Sequence, residues 1–443
     1  MKNKLIVTIF GATGDLALRK LLPALSNLIT DKEFASDVKV LAVGRRDFMN
    51  EDYFAFVTKQ HSFSGNLKVL KPYLDYVNVN LTEVESFESL ATKITEESQG
   101  FARVKKIFYF AVGPNLFADI ALGLSRYNIA TKDSDDDVLA FEKPFGLNFK
   151  DAQDINEIVT KYFSEKQIYR VDHYLGKEMI QNLLTLRFAN IKYSSLWSKE
   201  YIDEVKIIVS EDEGILKRGA YYDQVGVLSD MVQSHLLQIV ALVAMKTPAS
   251  LNSKDIKKTK LDVLKNIKID EKSTVLGQYQ SYLTESGVKK NSKTPTLAFL
   301  KLVVNNGLFD GVPIYVYTGK KLAKKEAYIE IIFKKPATHT LFDDEVYPNT
   351  LRIYLAPEAK IVHTLNGKQP GYEQLIEQTA FEYCYTCVFP NNVKEAYEKL
   401  FLEMILTHKS LFPDWEEIMY AWKIIAQVPR TKLVIYEDGY SLE

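Results

Sequence analysis

Cysteine is almost missing from this chain of 443 residues, which has two. Two sulfurs cannot build a disulfide framework, and their scarcity fits a reducing compartment. They stand as a CxxC, Cys384 and Cys387 in EYCYTCVFP, the spacing of a redox pair or half a zinc site. The surrounding TAFEYCYTCVF is rich in β-branched and aromatic residues and reads instead as a strand, where these two positions would point to opposite faces. Histidine is also scarce, at six residues, and no Cys, His and carboxylate group has zinc spacing, so no metal is expected. Net charge is lacking as well, since 56 Lys and Arg stand against 57 Asp and Glu. That excludes a nucleic-acid or membrane surface built on bulk charge, and any anion site must be local. No uninterrupted apolar stretch reaches the ~18 residues of a membrane span. The opening MKNKLIVTIFGATGD has a short apolar run ending in Gly and Asp, without a small-residue cleavage site, and does not read as a signal peptide. Cytoplasmic placement is the expectation.

What is present is ordinary globular composition, with 47% hydrophobic and 26% charged residues. At about 150 residues per domain the length suggests two or three domains. The first half alternates short apolar runs with helical patterns. LIVTIF (5–10), VKVLAV (38–43), KKIFYFAV (105–112) and the start of DVLAFEKPFG (137–146) read as strands, and 15–29 and 116–127 as helices. That alternation implies a parallel sheet with right-handed crossovers. Beyond about residue 180 a long helical pattern covers 220–245, followed by lysine-rich, gap-like sequence at 252–273 and 285–295. Strand-like runs then follow one another (TLAFLKLVVNN, GVPIYVYTG, AYIEIIFKK, TLRIYLAP, TAFEYCYTCVF) and imply an antiparallel sheet. Helices near 393–410 and 414–426 close the chain. The fold class is thus an α/β Rossmann domain followed by an α+β domain with a large antiparallel sheet, with domains at 1–178 and 179–443.

The stretch IFGATGDLALRK sets Gly11 and Gly14 between the first strand and first helix, with Thr13, Asp15 and Leu16 completing a GxxGDL pattern. Glycine there allows a sharp turn and lets a phosphate approach the amides at a helix N-terminus. The pattern is not GxGxxG, and its weight comes from following the first strand of an alternating α/β half. The second strand ends in LAVGRRD, where an acid would select the ribose hydroxyl of NAD. Arg45 and Arg46 come first instead, and a guanidinium suits a 2′-phosphate. NADP is the expected cofactor, while Asp47 leaves some use of NAD open.

Three further segments are FEKPFG (141–146), YRVDHYLGKEMIQNLLTLRFAN (169–190) and DMVQSHLLQIVALVAMKTPAS (230–250). With FGATGDLALRKLLPAL they closely resemble the glucose-6-phosphate dehydrogenase family, for which DHYLGKE is a highly specific motif. The resemblance runs from the first strand to FPDWEEIMYAWKII near the end. It implies oxidation of C1 of β-D-glucose 6-phosphate to 6-phosphogluconolactone with NADP or NAD, the first step of the oxidative pentose phosphate pathway. It implies a dimer or tetramer formed through the large sheet. His235 would be the base that takes the C1 hydroxyl proton, since an imidazole has its pKa near working pH, and Asp172 its partner. His173, Tyr174 and Lys177 match phosphate contacts. A helical turn through this stretch would put His173 and Lys177 on one face. Lys320 and Lys325 of TGKKLAKKEA match further cations. Lys143 matches a lysine between nicotinamide and sugar, and Lys20 one near the substrate. Glu211 and Asp230 match carboxylates that accept bonds from sugar hydroxyls. Pro114 matches a proline beside the nicotinamide, and Thr13 and Arg45 the positions holding the adenosine 2′-phosphate.

The chain departs from the family pattern in places. The family's RDxxQNHLLQ reads SDMVQSHLLQ here, so Ser229 and Ser234 replace Arg and Asn. A GSWGP-like ending is absent and IYEDGYSLE stands in its place, so no second, structural NADP site is expected. His61, His339, His363 and His408 lie outside the matched motifs and have no assigned role. Two other readings fit parts of the pattern: a non-catalytic dinucleotide-binding homologue acting as sensor or assembly partner, and a dehydrogenase of another hexose 6-phosphate. The presence of Asp172, His173, Lys177 and His235 together argues for the active enzyme.

Overall fold

The structure is a computed structural model describing residues 3–30, 37–59, 66–342, 345–373, 375–389, 394–429 and 432–441. His61 lies outside the described residues. The chain forms two compact units, Met1–Gly176 with Glu395–Trp415, and Lys177–Lys394 with Glu416–Glu443.

The first unit is built on six parallel strands, β1 (Asn3–Phe10), β2 (Asp37–Gly44), β3 (Leu74–Asn78), β4 (Arg103–Phe110), β5 (Asp137–Phe141) and β6 (Ile168–Arg170), in the order β3-β2-β1-β4-β5-β6. This is the doubly wound Rossmann order. β1 is buried on both faces from Lys4 to Phe10 because helices cover both sides, which is why LIVTIF does not alternate. Helix Ala396–Ile405, from the far end of the sequence, belongs here too. Its Leu400, Phe401 and Met404 join Leu5, Val7 and Ile9 in one core, each buried side chain contributing about 1.5–3 kcal/mol. A charged cluster ties the sheet to helix Phe87–Ser98. Lys39 and Lys93 reach Asp75 at 2.7 and 2.9 Å, and Lys4 reaches Glu97 at 2.6 Å. Burial alone would raise both carboxyls, but the surrounding ammonium groups outweigh it and hold them below the usual carboxylate range.

The second unit carries β7 (Ile202–Ser210), β8 (Ile267–Ile269), β9 (Val275–Tyr279), β10 (Leu297–Val304), β11 (Pro313–Gly319), β12 (Glu326–Phe333), β13 (Thr350–Ala356), β14 (Lys360–Lys368), β15 (Ile376–Cys384) and β16 (Val434–Tyr436). The order is β15-β14-β13-β12-β7-β11-β10-β9-β16, with β8 beside β10. The sheet is large and mostly antiparallel as expected, but β7–β11 and β9–β16 are parallel. Such pairs need long connections, and the chain between β7 and β11 supplies one through Gly219–Ala244. This helix alone among the described residues is long and apolar enough to cross a membrane, and 89% of its apolar window is buried inside the protein.

Two local expectations fail. The lysine-rich stretch at 252–273 is not a gap: helix Ser253–Asn266 fills most of it. The Asn252 side chain caps it by accepting from the Asp255 amide, Ile256, Val263 and Leu264 form its buried stripe, and buried Lys260 pairs with Glu417 at 2.8 Å. The CxxC is not an uninterrupted strand either. β15 ends at Cys384, Tyr385–Val388 form a single helical turn, and the two sulfurs are joined in a disulfide. The turn brings Cys387 back beside Cys384, whose sulfur accepts from the Cys387 amide at 3.2 Å. Strand alternation stops one residue too early to separate them.

Candidate functional site

In the first unit the GxxGDL turn forms as the spacing requires. Gly11 has φ +84, and a Cβ there would lie 2.5 Å from the Ala111 carbonyl oxygen and 2.7 Å from Val112. Only glycine fits. The Gly11 and Ala12 amides donate to Val43 O at 3.0 Å, and the Gly14 amide to Gly11 O at 2.9 Å. Thr13 is half-buried and Leu16 partly so, while Asp15 is exposed and pairs with Arg19 at 2.8 Å. The first helix opens with wide, π-type turns over Ala17–Leu21, a geometry frequent at functional sites. Arg45 and Arg46 follow β2, both exposed. They differ in setting: the Arg46 guanidinium stacks over Phe56 at 4.8 Å. Pro114 opens a short turn after β4 and is half-buried. Lys20 points to a surface pairing with Glu395 at 3.3 Å.

Lys143 follows β5, and its amide donates to Glu142 at 3.3 Å. Glu142 is a functional candidate that sequence reasoning passed over. It is buried, accepts from Tyr109 OH at 2.5 Å and from Tyr397 OH at 3.3 Å, and burial pushes its carboxyl up. Tyr397 in turn lies parallel to the His173 ring, with centroids 6.3 Å apart and planes 5° apart. Glu142 stands in a quoted motif, but Tyr397 is far away in sequence and carries no motif, so nothing linear connects them. Asp172 is 2% exposed and accepts from the Tyr174 amide at 2.9 Å, and the His173 and Tyr174 rings sit 4.9 Å apart. The stretch is a turn rather than a helix, which corrects the expectation that His173 and Lys177 share a helical face. Lys177 is instead the residue that precedes helix Glu178–Phe188, in extended conformation.

In the second unit Lys177 donates to Leu355 O at 3.3 Å, at the end of β13. Asp230 and His235 both lie on wide π-type turns, Leu228–Leu236, within the long helix, and His235 is 0% exposed. The Ser234 hydroxyl donates to Ser229 O at 2.9 Å, a reach back of five residues that fits the widened turns. The two serines that depart from the family pattern thus bond to each other. Lys320, 3% exposed, pairs with Glu211 and lies 3.9 Å from Asp230, its ammonium 5.4 Å over the Tyr222 ring. Three residues matched separately in sequence are therefore one cluster of two carboxylates and a cation, with Lys320 and Asp230 buried and Glu211 half-buried. Burial, with Asp230 and Glu211 nearby, pushes the Tyr222 hydroxyl well up. Lys325 is not part of this cluster and is exposed at the start of β12. The chain's last strand supports the cluster: Tyr436 OH donates to Lys320 O at 2.6 Å, and Tyr440 O accepts from the Ala323 amide at 3.0 Å. The ending IYEDGYSLE, which stands in place of a GSWGP-like one, holds the Lys320 loop in place.

The glucose-6-phosphate dehydrogenase NAD binding domain matches residues 8–182, and that family's C-terminal domain matches 184–440. The glucose-6-phosphate 1-dehydrogenase of Chlamydia muridarum is 34% identical over 95% of this chain and 89% of its own length. That of Dictyostelium discoideum is 35% identical over 96% and 88%. A solved glucose-6-phosphate dehydrogenase in complex with its substrate glucose 6-phosphate superposes with a TM-score of 0.89 at 30% identity, covering 100% of this chain and 96% of the other. With these matches over nearly its whole length, the chain belongs to the glucose-6-phosphate dehydrogenase family.

Proposed function

We propose that this protein oxidises C1 of β-D-glucose 6-phosphate to 6-phosphogluconolactone with NADP. The observation that carries the reading is full-length similarity to a glucose-6-phosphate dehydrogenase solved with glucose 6-phosphate. The Gly11 turn fits a dinucleotide, because the space a Cβ would fill there is closed by backbone and only glycine leaves room for the turn. NADP, when bound, accepts the hydride. Arg45, exposed beyond β2, supports the 2′-phosphate preference, and with Thr13 would hold that group; Arg46 is already stacked on Phe56. The unit of Met1–Gly176 would bind the cofactor, in line with a domain over 1–178, and 179–443 would serve substrate binding and oligomerisation. A homo-oligomer and a cytoplasmic setting remain part of this reading.

His235 would take the C1 hydroxyl proton, with Asp172 as the carboxylate that favours the imidazolium. Complete burial keeps bulk water from competing for that proton. Glu211 and Asp230 would accept from sugar hydroxyls. Lys320 pairs with Glu211 and lies 3.9 Å from Asp230 beforehand, so the orientation of the two carboxylates is not created on binding. His173, Tyr174 and Lys177 would hold the phosphate, Lys143 would lie toward the sugar, and Lys325 and Lys20 would add positive charge. The test is reduction of NADP followed by absorbance with glucose 6-phosphate beside free glucose. Reduction with the phosphorylated sugar is expected; no reduction with either would overturn the reading. Paired kinetics with NADP and NAD test the cofactor, and a higher kcat/KM with NAD would reverse the Arg45 assignment.

A further inference from the structure

The disulfide between Cys384 and Cys387 plays no part in the reaction above, yet it sits where chemistry can reach it. Cys387 is exposed, Cys384 half-buried, and both lie at the end of β15, the edge strand of the large sheet. No strand beyond β15 shields them among the described residues. Between them stands Tyr385, which is tied down on three sides. Its amide donates to Ala359 O at 2.9 Å, its hydroxyl donates to Asn182 Oδ1 at 3.1 Å, and its ring meets Tyr383 edge-on at 5.3 Å. Asn182 is on helix Glu178–Phe188, whose leading residue is Lys177. The closed Cys384–Cys387 loop thus fixes the one turn whose tyrosine holds that helix from the side.

We propose that Cys384 and Cys387 form a reversible dithiol–disulfide site for low-molecular-weight disulfides, and that its state is passed through Tyr385 and Asn182 to helix Glu178–Phe188. The exchange balances without any other reagent. One cysteine thiolate attacks the external disulfide RSSR, forming a mixed disulfide and releasing one thiol RSH. The second cysteine then displaces the other RSH and closes the internal bond, so the protein loses two electrons and two protons and RSSR gains them. Opening the bond frees the Tyr385–Val388 turn, which has no other covalent tie. The Tyr385 hydroxyl then competes with water for Asn182, and the helix loses a lateral contact. The expected size is that of one hydrogen bond, about two- to five-fold in an equilibrium constant. The link to sugar binding rests on the phosphate role proposed for Lys177, but the thiol chemistry and the helix coupling do not.

Three readouts on the full-length protein separate these parts. Thiol titration after dithiothreitol, and again after equilibration with oxidised glutathione, should give two reactive thiols and then none, with a mass loss and no glutathione adduct. A protein that keeps its thiols or stops at the adduct would overturn the site. Amide hydrogen exchange in Glu178–Phe188 should be faster in the reduced form and redox-independent in Tyr385→Phe; equal protection in both states of the wild type would sink the relay whether or not the enzyme turns over. The KM for glucose 6-phosphate should rise about two- to five-fold on reduction with kcat unchanged, and Cys384→Ser and Cys387→Ser should lie at the reduced value regardless of redox buffer. An absence of turnover would count against the proposed activity alone, since thiol titration and exchange still report.

Discussion

His235 is the proposed base, and its setting makes the test clean. It is fully buried on the widened turns of Leu228–Leu236, so an asparagine of similar shape should leave the surroundings in place. His235→Asn should lower kcat by at least ~10²-fold while sugar affinity is largely kept. Near-full turnover in steady-state assays would remove it as the base. Lys177→Ala should chiefly weaken binding of the phosphorylated sugar, and an equal effect on free glucose would contradict the clamp. Gly11→Ala forces a side chain into φ +84 and against the Ala111 carbonyl. It should cost on the order of 1–3 kcal/mol, seen as a lower Tm together with lost dinucleotide binding. At this scale the linear sequence was informative where a motif carries a local geometry whole, as with the turn at Gly11. It was blind to Glu142 and Tyr397, because their hydrogen bond joins positions 142 and 397 that no local pattern relates.

Among the elements, the final strand shows how much depends on pairing. β16 adds to β9 in parallel, and its Tyr436 hydroxyl donates to the Lys320 carbonyl and accepts from Thr296 Oγ1, 2.9 Å away. Tyr436→Phe should therefore raise the KM for glucose 6-phosphate more than it lowers kcat, since the Lys320 cluster loosens without touching His235; unchanged KM in kinetics would separate the tail from the site. The β2–β3 charge cluster gives a pH dependence. Asp75 and Glu97 are held below their ordinary pKa by Lys39, Lys93 and Lys4, despite partial burial. Carboxylates of this kind contribute stability that is present above the unfolded value near 4 and lost as pH falls through the folded value. The denaturant midpoint should drop on acidification below about pH 4, and Asp75→Asn should flatten that drop; an unaltered acid limb would exclude the cluster as its source. Element reading from sequence succeeded for strands with continuous apolar runs. It failed at 252–273, where many lysines hid a helix whose buried stripe includes Lys260 itself, neutralised by Glu417.

At the scale of the whole molecule, the two units are not simply two halves of the sequence. Glu395–Trp415 returns to the first unit and Glu416–Glu443 to the second. The family, the parallel α/β character of the first unit and the activity were legible in the sequence by itself, because glycine geometry, apolar periodicity and the DHYLGKE stretch are local properties written in consecutive residues. Which strands neighbour one another, that Glu211, Asp230 and Lys320 make a single cluster, that the tail braces it and that Cys384 meets Cys387 were settled only by tertiary structure. Those outcomes depend on which distant groups share a low-dielectric interior and satisfy each other there, and no spacing along the chain encodes that.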